Sequence, residues 1–273
     1  MQKSSLLKNS PWVQAPLCQE VANTLELMTL RHTYYQRGTK KATVDLERCI
    51  EIHRKWVFDI VDLNKFPYVY VTSGATEAIN HWRLSDHRPW QYFKGDYQYP
   101  QMISGNGKEV DELHPDSVLY LSNPQCYNGN FKEFGNIINP VILDCAYIGA
   151  TSIKQINIPI NTEQIMFSFS KGWGLIGQRC GLVYTKEPHL TLQPLKEVEC
   201  YNYAAAPIME SIMNKFRVDE MYYRYIDKQK EVCKSFGLTP SDTYFIATST
   251  DQYYKRLRRV GEIARLCLTG VYT

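Results

Sequence analysis

No run of this chain is apolar and long enough to cross a bilayer, and its first residues, MQKSSLLKNSPWVQ, lack the apolar centre of a signal peptide. No block of like charge is present either. The 31 Lys and Arg stand against 28 Asp and Glu, a net +3 that excludes the basic footprint of a nucleic-acid surface. The strongest basic cluster, YYKRLRR at 253–259, reads as a solvated helix face. Eight cysteines are scattered singly, with no C-x-x-C pair and no His-Cys group at zinc spacing, so neither a disulfide framework nor a metal site is expected. Internal repeats and low-complexity tracts are missing too. These absences lead us to expect a soluble, cytoplasmic protein with reduced thiols and neither membrane nor nucleic-acid partner.

What is present is 273 residues, enough for one large domain or a domain with a small satellite, in which strands alternate with helices. VDLERCIEIHRKWVFDIV (44–61) puts Leu46, Cys49, Ile50, His53, Val57 and Ile60 at helical spacing, with Asp45 in the first turn and His53 as a core or boundary histidine. Apolar runs YVYVTSG (68–74), SVLYLSNP (117–124), PVILDCAY (140–147) and QIMFSFSK (164–171) predict strands, and RCGLVYTK from 179 a fifth. Polar residues gather at their C-terminal ends: Ser73 and Gly74, Asn123, Asp144 and Tyr147, then Ser168, Ser170 and Lys171. Open α/β sheets bind ligands outside these ends, so one pocket could collect them all.

Each piece has its own chemistry. SGATEAINHW (73–82) runs through Gly74 into a helix whose free N–H groups, with the Thr76 hydroxyl, make an anion site; a small-residue turn before any helix looks the same. Asp144 follows three apolar residues, so its carboxylate needs a cationic or N–H partner, unless it is a turn or capping aspartate. Lys171 could be a solvated strand-end lysine, yet an amine beside Arg179 and out of water loses its proton readily, as a nucleophile must. Arg179 offers a planar fork for phosphate. Together the pieces supply a phosphate cradle, a carboxylate for a protonated ring nitrogen and an amine able to form an imine. Those are the demands of pyridoxal 5'-phosphate.

SFSKGWGLIGQRCG (168–181) resembles the lysine signature of fold type I pyridoxal-phosphate enzymes of the class I and II aminotransferase family, S-x-S-K-x-x-G-x-x-G-x-R-x-G, at every fixed position. TSGATEAI is similar to that family's phosphate turn and LDCAY to its D-x-A-Y element, in the same order. The resemblance implies that Lys171 carries the cofactor as a Schiff base and shuttles a proton, that Asp144 holds the ring nitrogen and that Tyr147 donates to the ring oxygen O3'. It further implies that Gly74, Ala75, Thr76, Ser168, Ser170 and Arg179 surround the phosphate. KGDYQYPQ resembles the segment supplying the stacked ring, Tyr97 in preference to Tyr99. HTYYQRGTKK is similar to a stretch whose tyrosine, here Tyr34 or Tyr35, reaches the neighbouring subunit's phosphate in a homodimer. ARLCLTG resembles the strand whose arginine, here Arg265, grips a substrate α-carboxylate.

Two departures accompany the resemblance. NPQCYNG puts Cys126 where the family has the asparagine that bonds O3', leaving Asn123 or Asn128 as substitutes, or Tyr147 alone. The chain beyond the lysine is also short for the family. The expectation is therefore an α/β protein: a mainly parallel central sheet with helices on both faces and a small, reduced C-terminal α/β lobe. Residues 1–43 form an N-terminal arm contacting the partner subunit, 44–205 a cofactor-binding domain and 206–273 the lobe, with strands in GLTPSDTYFIATST and EIARLCLTG. The implied activity is amino transfer from an α-amino acid to a 2-oxo acid. The alternatives are a lyase or other Cα-deprotonating enzyme, and a non-catalytic binding protein.

Overall fold

A computed structural model describes residue 7 and residues 13–32 and 40–272. Its helices and strands are, in chain order, α1 (Gln19–His32), α2 (Lys40–Trp56), β1 (Tyr68–Thr72), α3 (Ala75–Ser85), β2 (Trp90–Phe93), α4 (Tyr99–Ser104), β3 (Gly107–Val110), β4 (Val118–Ser122), β5 (Val141–Cys145), β6 (Thr162–Ser168), α5 (Phe169–Gly172), β7 (Gly181–Thr185), α6 (Leu192–Glu197), α7 (Ala205–Lys215), α8 (Glu220–Phe236), β8 (Thr239–Pro240), β9 (Ile246–Ser249), β10 (Arg258–Val260) and β11 (Ile263–Cys267).

The first seven strands form one sheet in the order β1-β7-β6-β5-β4-β2-β3. β7 is antiparallel to both neighbours and every other pair is parallel. The central strands read as continuous apolar runs because both faces are covered. Leu119, Leu121, Leu143 and Phe167 point into one core, where α2, α1 and α7 pack. Their alternates Tyr120, Ile142 and Met166 point into a second, with Ala78, Ile79 and Trp82 of α3. The expected fold class is thus the observed one. β2 and β3 escaped the sequence reading because they are four residues each, and β3 (Gly-Lys-Glu-Val) is half exposed and mostly polar.

Two local expectations are corrected. α2 begins at Lys40, so residue 45 is not in its first turn, and it ends at Trp56, leaving Val57 and Ile60 buried in the following turns. YYKRLRR is not a solvated helix: a 3₁₀ turn (Gln252–Leu257) buries Tyr254 and Leu257, three apart as that geometry demands, and then becomes β10. His53 is a core histidine. It is wholly buried with Nδ1 2.9 Å from the Tyr184 hydroxyl, and burial drives its pKa down to about 3.

The C-terminal strands make a separate four-stranded antiparallel sheet, β10-β11-β9-β8, entered from α8 through Gly237 in the left-handed region (φ 64°). It meets the large sheet at the site: Tyr244 donates its hydroxyl to the carbonyl of Gly172, beside the lysine. Residues 13–17 cross the same loop, Ala15 N–H donating to the Lys171 carbonyl at 3.0 Å. Among the described residues no helix is long and apolar enough to cross a membrane, and no cluster could hold a metal ion. All eight cysteines are free thiols.

Candidate active site

The C-terminal ends of β1, β4, β5 and β6 open into a cleft with about 500 Å³ of empty space, lined by Ala75, Thr76, Tyr97, Asp144, Tyr147 and Lys171, among others. At one end the chain turns through Gly74 (φ 80°) into α3. A side chain at Gly74 would put its Cβ 3.2 Å from Arg179 Nη2 and 3.4 Å from both Ser168 Oγ and Ser170 Oγ, so only glycine leaves this hollow open. Arg179 Nη2 donates to Thr76 Oγ1 at 3.0 Å. Arg179 itself lies at φ 51°, a conformation costly for an arginine, and Asn202 Nδ2 supports it by donating to its carbonyl at 3.1 Å. Ser170 Oγ is buried with no partner. A hollow walled by two serines, a threonine, a guanidinium and a helix N-terminus suits a phosphate.

In the middle stands Lys171, on the one-turn helix α5. Ser168 caps that helix, its Oγ accepting from Ser170 N at 3.3 Å. The lysine Nζ donates to the carbonyl of Val13 at 3.0 Å. Burial, and then the charge of Arg265, hold its pKa below the ordinary lysine value.

Asp144 forms the floor, 5% exposed. Ala146 N–H donates to Oδ1 at 2.9 Å and the Tyr120 hydroxyl to Oδ2 at 2.5 Å. Burial raises its carboxyl above the usual range against these two bonds and the nearby Lys171. Tyr97 faces the cleft, whereas Tyr99 turns away, stacked on Tyr97 and donating to Asn80 Oδ1 at 2.9 Å. The turn carrying Tyr97 is tied down by Asp96, which accepts from Tyr97 N, Ser122 N and Ser122 Oγ. Burial pushes Asp96 up to about 6.

At the far end Arg265 of β11 is 8% exposed. Its Nη1 donates to the Cys126 carbonyl at 2.6 Å and lies 3.1 Å from Cys126 Sγ and 3.5 Å from the Tyr147 hydroxyl, while Nε has no partner. Burial raises the Cys126 thiol, against the pull of Arg265, and carries Tyr147 well above the usual phenol value.

The structure thus brings together Gly74, Ala75, Thr76, Tyr97, Asp144, Tyr147, Ser168, Ser170, Lys171, Arg179 and Arg265. Asn123 is not among them: its amide is spent on Lys132, accepting from the N–H and donating to the carbonyl, both at 3.1 Å. Asn128 is likewise engaged in its own turn, so Cys126 alone occupies the departing position. Tyr34 and Tyr35 lie outside the described residues. Tyr120, Asp96 and Asn202 were missed. For Tyr120 a signal existed, because alternation places it two residues before Ser122 on the same face of β4, and Ser122 pairs with Asp144.

No family model and no curated protein matches the chain. Solved structures do, and they establish its fold. YbdL from Escherichia coli, with an identified methionine aminotransferase function, is 14% identical at a TM-score of 0.69 over 97% of this chain and 89% of its own. The PLP-bound C-S lyase of Staphylococcus hominis is 9% identical at 0.67 (94% and 86%), and the L-threonine-O-3-phosphate decarboxylase of Porphyromonas gingivalis 12% at 0.63 (94% and 92%).

Proposed function

We propose that the chain is a pyridoxal-phosphate-dependent aminotransferase that moves an amino group from an α-amino acid to a 2-oxo acid. The observation that carries this reading is Lys171: a half-buried amine with a depressed pKa, set between an anion cradle and a buried arginine, above a buried aspartate. The cofactor fits the residues present, since the partnerless Ser170 hydroxyl and the hollow kept by Gly74 ask for an anionic acceptor there. When bound, it supplies an aldehyde for an amine and a ring that withdraws electrons from the substrate's Cα.

The chain's own residues do the rest. Ser168, Ser170, Thr76, Arg179 and the N-terminus of α3 hold the phosphate. Asp144 would hold a proton on the ring nitrogen, Tyr147 would donate to the ring oxygen, and Tyr97 would cover the ring and exclude water. Arg265, whose Nε has no partner, would bind the α-carboxylate and so orient the substrate. Lys171 would hold the cofactor, and its amine, which a depressed pKa leaves free to accept a proton, would take one from Cα. A homodimer in which residues 1–43 reach the partner, with 44–205 as cofactor domain and 206–273 as a C-terminal lobe, belongs to the same proposal.

The test is the visible absorption of purified protein with pyridoxal phosphate, before and after amino acids, beside Lys171→Ala. A band absent from the variant and bleached by amino acid, with turnover only when a 2-oxo acid is supplied, is expected. Ammonia release without an acceptor would transfer the reading to a lyase; no band at all would leave a binding protein.

A further inference from the structure

We propose that Tyr120 is a positioning residue of this site: its phenol, donating to Asp144 Oδ2, keeps that carboxylate oriented and ionised for a ring nitrogen. The inference rests on the cofactor reading above.

The geometry is that of a built support. Tyr120 has no solvent exposure, and its hydroxyl meets Asp144 Oδ2 at 2.5 Å. On the sheet the tyrosine pairs with Ile142, two residues before Asp144, so the phenol reaches diagonally across β4 and β5 to the neighbouring strand's carboxylate. Trp82 of α3 lies parallel to its ring, 5.8 Å between centroids and 17° between planes, and fixes the ring's direction. Trp82 is in turn tied by its indole N–H to Asp86 Oδ2 at 3.0 Å. The helix that opens at Gly74 therefore also braces the tyrosine that supports Asp144.

The charges around Asp144 explain what the phenol does. Asp96 and Tyr97 face it from the turn after β2, Cys126 from the turn after β4, Cys145 along its own strand and Lys171 from α5. Asp96, anionic above about pH 6, opposes a second negative charge here. A buried carboxylate keeps its charge only through donors, and Asp144 has two, the Tyr120 hydroxyl and the Ala146 N–H. Without the phenol one donor remains, and the carboxyl takes up a proton instead of holding one on its ligand. A phenylalanine here would fill the core equally well, so packing alone does not call for the hydroxyl.

The test compares wild type, Tyr120→Phe, Asp144→Asn and the double variant, all of which keep side-chain volume. In the apo-protein, carbon-13 NMR of aspartate carboxyls, with the Asp144 signal assigned by its loss in Asp144→Asn, is expected to show Asp144 titrating at higher pH in Tyr120→Phe than in wild type. With cofactor, Tyr120→Phe is expected to bind pyridoxal phosphate about tenfold more weakly, as loss of a hydrogen bond to a charged group requires, while adding it to Asp144→Asn costs nothing further. Should Tyr120→Phe not fold, 3-fluorotyrosine at 120, a more acidic donor of the same shape, is expected to move the titration downward. An unmoved Asp144 titration in either variant overturns the inference. A wild type that never binds the cofactor overturns the reading above instead, and the apo titration still decides Tyr120.

Discussion

The two ends of the cleft are built in different ways. On the proposed reading, the phosphate end comes from two short stretches, 74–76 and 168–181; the ring end is assembled from Asp96 and Tyr97, Tyr120, Cys126, Asp144, Tyr147 and Arg265, and holds two buried carboxylates. An anion needs only convergent N–H and hydroxyl donors, which one turn and one helix start can supply. A flat, polar ring and a substrate carboxylate need groups from several directions, which only tertiary packing brings together. The ring end is where the sequence departs from the pattern it resembles, at Cys126, whereas 168–181 keeps every fixed position of that pattern.

Substitutions can break this contrast. The largest effect is expected from Gly181→Ala, whose Cβ would lie 2.6 Å from the Phe167 carbonyl and 2.7 Å from Gly74 Cα. Backbone cannot step aside cheaply, so a loss of about 3 kcal/mol should appear in denaturant melts, together with a damaged phosphate hollow. Arg179→Ala should leave stability nearly intact and weaken cofactor binding by roughly a hundredfold in titrations of the visible band, as loss of a bidentate charged contact implies. Cys126→Asn, at the ring end, should change that affinity by less than about tenfold. A larger loss than that of Arg179→Ala would reverse the ranking of the two ends.

The smallest effect is a pH slope. Asp96 is raised to about 6 from its usual 3.8, so between these values the folded state binds more protons than the unfolded one. Its contribution to stability is therefore present at the acid side and lost as pH rises through that window. Asp96→Asn should remove this share of the slope in melts taken from pH 4 to 6, whatever it does to overall stability. An unchanged slope would mean that the ring end carries no such charge strain.

Much of this was legible beforehand. Five of the seven strands of the large sheet, the Lys171 loop and the Gly74 turn announce themselves because continuous burial and local turn chemistry leave local marks. β2 and β3 do not, being short, and β3 exposed. Asn123 misled because its place at a strand end says nothing about direction; here its amide closes a loop onto Lys132. Tyr120 sat unnoticed in an apolar run, since a tyrosine in a buried strand looks like core until the register with β5 shows what lies diagonally across from it.

The single reversed strand of the large sheet has a consequence for wiring. Had β7 run parallel to β6, the chain would have needed to travel the length of the sheet between them, delivering Arg179 to the edge opposite Lys171. Because β7 runs back, the whole link from 169 to 180 stays at one rim. Residue 181 then sits in register with both Thr72 and Ser168, so three separate segments share one reference point. Inserting one residue into β7 would invert the facing of its side chains and pull that rim apart, so a strand that lines none of the cleft sets its alignment.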